Sequence, residues 1–119
     1  MMIKNGEAAD AINLLNQSQL ALERSFAASP TDEIAHFRLA MVEQALGQGH
    51  AALATDNRSS AQQRLVHWRE AHSWFLKSQE IYVIFRDDGK LSGEDVARLD
   101  AVVEGIAKCE AALARLAGT

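Results

Sequence analysis

The sequence predicts an all-α fold of about four amphipathic antiparallel helices, forming one domain over residues 1–119. Three observations point there. Apolar residues recur at helical spacing through most of the chain. Ala, Leu, Glu, Gln and Arg, all good helix formers, are abundant, and a single Pro interrupts them. Aromatic residues make up only 6% of the chain, thin for a β-sandwich. The helices can be arranged as an open helical repeat or, alternatively, as a closed four-helix bundle.

The first helix is predicted from about Glu7 to Ala28, with Ala8, Ile12, Leu15, Leu22 and Phe26 on one face and Leu14 and Ala21 widening it. Pro30 ends it, because proline lacks the amide hydrogen and disfavours helix at Ser29. Thr31 is the expected N-cap of the second helix, with Asp32 and Glu33 at the positive end of its dipole. Ala35, Leu39, Val42, Leu46 and Leu53 form one stripe, and Ile34, Phe37, Met41 and Ala45 a second beside it. So wide an apolar face suits a helix held between two neighbours. Gly47 and Gly49 fall inside the pattern: either the helix bends there or a neighbour packs too closely for a side chain.

The polar run Thr55–Ser60 is the clearest break in the chain. Ser59 or Ser60 then caps a third helix reaching about Arg86, with Trp68, Ala71, Phe75, Ser78, Tyr82 and Phe85 in phase, flanked by Trp74, Ile81 and Ile84. The run from Ile81 to Phe85 has strand propensity, but the helical stripe enters and leaves it in phase. Gly89 in the Asp87–Lys90 turn suits the left-handed conformation that stops helices. Ser92 with Asp95 has capping-box spacing and starts a last helix to about Leu116. Leu99, Val102, Val103, Ile106, Cys109, Leu113 and Leu116 face inward there, and Glu94–Arg98 and Glu104–Lys108 are outer i,i+4 pairs.

Composition narrows the function classes. The net charge is −4, so nucleic acid and membrane are poor partners by default. No apolar run approaches the about 18 residues that a bilayer span needs. The Met1–Glu7 start lacks the apolar core of a signal peptide. The lone Cys109 has no intramolecular disulfide partner, in keeping with a reducing, cytoplasmic setting.

Small, large and small residues at spacings of four and three recur as Ala71, Phe75, Ser78 and as Ser18, Leu22, Ser25, the latter with Pro30 five residues on. Leu46-Gly47 followed by His50 is an element of another kind, His standing where a Leu-Gly-x-x-Tyr run has Tyr. These residues resemble the tetratricopeptide repeat. The stretch Trp68–Leu116 is similar, in Trp68-Arg69-Glu70-Ala71, Trp74-Phe75, Ser78, Gly89-Lys90-Leu91 and Ile106–Leu113, to the C-terminal repeat region of bacterial serine/threonine protein kinases and related signalling proteins. The resemblance implies stacked helix pairs with a concave groove, and an interaction role; no kinase loop accompanies it. One departure stands out, and it turns on which of two registers holds. Glu43 takes the place of a large aromatic if Leu46-Gly47 sets the register, whereas counting from Pro30 puts Leu39-Ala40 in that role, one heptad earlier.

Nothing in the chain has the pattern of a catalytic, cofactor or metal site. His36 and His50 stand about 21 Å apart along one helix, and His67 and His72 about 140° apart around another, so neither pair has the i,i+4 geometry of a helical metal site. No serine lies in a nucleophile elbow, and the spacing of calcium ligands is absent around Asp87-Asp88. Cys109 is read as a buried, apolar-like thiol. Trp68 and Trp74 point about 120° apart, so one is expected in the core and one at a groove, with Trp74 the surface candidate. The expected function is therefore a non-catalytic module that binds a protein or peptide between the second and third helices, with Trp74, His50 and Arg64 as partner-binding candidates. The alternative is a homo-oligomer built from self-associating bundles without a groove.

Overall fold

The computed structural model describes residues 5–117, and these form four α-helices and no strand. The fold class is the one the sequence predicts. The Met1–Lys4 portion of the stretch expected to lack a signal-peptide core lies outside the described residues, as do residues 118–119. α1 spans Asn5–Ala28, α2 Glu33–Ala54, α3 Ala61–Asp87 and α4 Gly93–Ala117.

Local chemistry sets each boundary. Between α1 and α2 the Asp32 amide donates to the Ser29 carbonyl at 3.0 Å, closing a turn with Pro30 and Thr31 at its centre. Thr31 is thereby used up in the turn, and Asp32, not Thr31, caps α2. Its extended backbone lets Oδ1 accept from the Ala35 amide at 3.1 Å. Of the two candidate serines before α3, Ser60 is the cap. It forms a full capping box with Gln63, both bonds 3.1 Å. At α4, Ser92 Oγ accepts from the Asp95 amide at 3.3 Å and donates to Asp95 Oδ2 at 2.9 Å. The aspartate, one carbon shorter than glutamate, bonds the cap hydroxyl instead.

α3 ends as the glycine predicts. Gly89 takes φ +71°. The Gly89 amide donates to the Arg86 carbonyl and the Lys90 amide to Phe85, the paired bonds of a Schellman stop. Lys90 then pairs with Glu33, tying this turn to the start of α2.

α3 is the central helix. It packs most extensively on α2 and also on α4, while α2 and α4 touch lightly. Among the described residues α1 closely approaches α2 alone. The core along α3 is Ala71, Phe75, Ser78, Ile81, Tyr82 and Phe85, met by Leu39 and Ala40 from α2 and by Leu99, Val102, Ile106 and Cys109 from α4. The Ile81–Phe85 run is helical, as its phase predicts.

The two glycines of α2 are explained by close packing, since the helix runs unbroken through both. A Cβ on Gly47 would lie 2.7 Å from the Phe75 ring, and one on Gly105 of α4 would lie 2.8 Å from the same ring's other edge. Phe75 therefore sits in a slot that only two glycines leave wide enough. Gly49 similarly faces Ile12 of α1, where a Cβ would be 3.1 Å away.

Several faces differ from the predicted stripes. Leu14 and Ala21 of α1 are exposed, because α1 packs on α2 alone, and Ile34 in the first turn of α2 is exposed as well. Val103 is exposed on α4, whose inward line runs through Val102, Ile106, Cys109 and Ala112. Ser18 and Ser25 of α1 are exposed, unlike Ala71 and Ser78 at the equivalent spacing in α3. Arg98 pairs with Asp95 at 3.6 Å, one turn position short of Glu94, while Glu104–Lys108 forms at 3.5 Å.

Polar groups are also buried in the core. Ser78 Oγ donates to the Ala40 carbonyl at 2.7 Å. Tyr82 Oη donates to Gln44 Oε1 at 2.9 Å, and Gln44 Nε2 reaches the Arg98 carbonyl of α4 at 3.5 Å. Burial pushes the Tyr82 phenol up to about 12, so it remains a donor at any physiological pH.

Candidate ligand groove

Because α2 and α4 flank α3 but barely touch, a groove of about 440 Å³ opens between them. Its floor is α3, through Trp68 and Phe75. Its walls are small: Ala51 and Ala52 on α2, Ala101 and Gly105 on α4. Small residues hold the walls back, and part of the Trp68 side chain stays exposed, while Phe75 is buried. The groove runs on, past Thr55 and Trp68, into a second hollow of about 250 Å³ lined by Asn57, Arg64, Arg115 and Leu116.

The charge of this groove opposes that of the chain. Lys108 and Glu104 line the first part and pair with each other at 3.5 Å. Arg64 and Arg115 line the second part without an acidic lining residue. Arg64 is half-buried, and its Nε is buried with no hydrogen-bond partner among the described residues. A buried donor of this kind gains from any acceptor that reaches it.

Of the three residues singled out from sequence, Arg64 alone lines the groove. Trp74 is half-buried on another side of α3, with Lys77 Nζ 4.6 Å from its ring centroid. Trp68, in phase with the core stripe, is the groove tryptophan. It too is half-buried, because the small residues opposite it on α4 leave part of its ring uncovered. The groove also lies between α2 and α4, not between α2 and α3, whose faces close on each other.

His50 is engaged elsewhere. The α2–α3 hairpin brings His50 Nδ1 to 3.1 Å from His67 Nδ1, with the rings tilted by 32°. Sequence spacing along single helices misses this pair, whose members lie on different helices. One nitrogen donates and the other accepts, so the bond exists while at least one ring is neutral. Burial, together with the neighbouring His67, lowers the His50 pKa against the smaller opposing pull of Glu70. No group of three or more His, Cys, Asp or Glu side chains placed to hold a metal ion occurs among the described residues.

Cys109 is fully buried in α4, as its inward phase predicts. Burial pushes its thiol up to about 11, with Glu110 adding to the shift, so it is not a thiolate at neutral pH. Among the described residues no helix is long and apolar enough to cross a membrane. No protein-family model, curated protein or solved structure matches the chain.

Proposed function

We propose that this chain is a non-catalytic interaction module that holds an extended segment of a partner protein in the α2–α4 groove. The observation that carries the proposal is the half-buried Trp68, beside the buried Phe75, between walls of Ala51, Ala52, Ala101 and Gly105. A half-buried tryptophan in a small-walled groove is the kind of anchor point on which binding energy concentrates. Arg64 and Arg115, which line one end, favour a segment with an acidic residue beside apolar ones. The tetratricopeptide-like reading rests on the sequence spacing of Ala71, Phe75 and Ser78, two small residues flanking a large one. On that reading the chain is a cytoplasmic scaffold or adaptor.

Selection of peptides from a random display library tests this. Enriched peptides are expected to carry an acidic residue next to apolar ones. They should bind the wild type and lose at least tenfold in affinity against Trp68→Ala or Arg64→Ala, but not against Trp74→Ala. Equal binding to the Trp68→Ala variant, or no enrichment at all, overturns the proposal.

Self-association is the second reading, favoured by the exposed Leu14 and Leu20 of α1. Solution mass measured against concentration separates the two. A dimer that persists in Trp68→Ala and dissociates in Leu14→Glu supports self-association through α1.

A further inference from the structure

We propose that α1 is docked on α2 through the neutral form of Glu43, and that ionisation of this carboxyl loosens α1 from the other three helices. Glu43 lies in the middle of α2 and is 3% exposed. Its Oε1 is buried and makes no hydrogen bond among the described residues. His36, Glu43 and His50 recur every seven residues, so they share one line along α2. The two ends of that line locate it. His36 stacks on Phe26 of α1 at 4.3 Å and meets Phe85 of α3 at 5.6 Å, while His50 meets His67 of α3. The line therefore runs along the seam where α1 and α3 flank α2.

The charges acting on Glu43 come from both sides of that seam. Glu23 of α1 and Glu80 of α3 repel a carboxylate there, and Lys77 of α3 alone attracts it. The Lys77 ammonium lies over the Trp74 ring and not on the carboxylate. From α4, Arg98 and Asp95 act on Tyr82 on the other side of α2 and not on Glu43. A neutral carboxyl fits this setting. A charged one is left buried, its Oε1 without a hydrogen bond and repelled by Glu23 and Glu80.

An ionised Glu43 regains water by opening the weaker of its two interfaces. The α2–α3 contact is the most extensive in the fold and is fastened by the Ser78–Ala40 and Tyr82–Gln44 hydrogen bonds. α1 closely approaches α2 alone, through a face that includes Ile12 against Gly49 and the buried Gln19. α1 is thus the unit that opens first.

The direction of the titration agrees with the geometry. Burial raises the Glu43 pKa from 4.5 to about 7, with Glu23 and Glu80 adding to the rise and Lys77 opposing it. A folded-state value above the unfolded one means the stabilisation is complete below about 4.5 and lost as pH rises through about 7. α1 is held in mild acid and released in mild base.

Hydrogen exchange at pH 5.5 and 8.5, corrected for the intrinsic pH dependence of exchange, tests this on the full chain. Amides within residues 11–27 are expected to lose at least tenfold in protection at pH 8.5 relative to the central turns of α3. In Glu43→Gln, which cannot ionise, that relative loss should vanish. Glu43→Met serves as a second non-ionising variant if the first fails to fold. Unchanged relative protection of α1 in the wild type overturns the proposal. So does the same pH-dependent loss in both variants, or a loss shared equally by α1 and α3.

Discussion

The Phe75 ring lies so close to Gly47 that a single added carbon would stand 2.7 Å from it. Gly105 closes on the ring from the α4 side, so the ring is gripped between the two glycines. Gly47→Ala and Gly105→Ala are each expected to destabilise the fold by about 1–3 kcal/mol through overpacking, partly offset by the roughly 1 kcal/mol that Ala gains over Gly in a helix. Gly93→Ala, where nothing lies within 4 Å of the added carbon, should be neutral or slightly stabilising. Thermal melts of the three variants check the ranking, and a Gly47→Ala variant as stable as wild type would contradict the slot.

Tyr82→Phe should cost more than Ser78→Ala. Removing the phenol leaves Gln44 Oε1 buried without its donor, a loss of about 1–3 kcal/mol. Removing the Ser78 hydroxyl leaves the Ala40 carbonyl its place in the α2 hydrogen-bond ladder, for about 1 kcal/mol. Urea denaturation of both variants above pH 6 decides the order.

Acid should weaken the α2–α3 hairpin through His50 and His67. The folded His50 binds its proton less readily than the unfolded one. Its contribution is therefore present above about pH 6.5 and lost as pH falls through the lowered folded value. His36, also lowered by burial, acts in the same sense, whereas Glu43 acts in the opposite one. A comparison with His67→Gln isolates the pair: the variant is expected to lose less stability than wild type between pH 6.5 and 5. Parallel pH profiles would remove the pair from the account.

Asp32→Ala should destabilise α2 by about 1 kcal/mol, and Thr31→Ala by less than about 0.5 kcal/mol. The Ala35 amide loses its acceptor in the first case only. Equal effects in denaturation would place the cap elsewhere.

These residues also show what was legible in the sequence. The helices, the Gly89 stop and the buried Cys109 follow from periodicity and from single-residue backbone preferences, which are local properties. Asp32 was hidden because Thr31 and Asp32 are both good caps, and the turn geometry chooses between them. Gly47 was recognisable as unusual, but its partner Phe75 lies 28 residues on, and the second glycine, Gly105, lies a further 30. Glu43 and Gln44 are polar residues at buried positions of α2, and composition alone does not mark them as buried. Trp68 looked like core because its phase is that of the core, and only the small residues opposite it on α4 reveal otherwise. The His50–His67 contact depends on how the α2–α3 hairpin closes, which no spacing within one helix encodes.

The principal helix contacts join neighbours in the chain, with α2–α4 a light exception. Such a topology asks for little long-range loop closure, so assembly should proceed quickly, outward from the α2–α3 pair. It also makes the fold modular in a literal sense: a hairpin grafted beyond either flank would meet one existing helix and disturb no other.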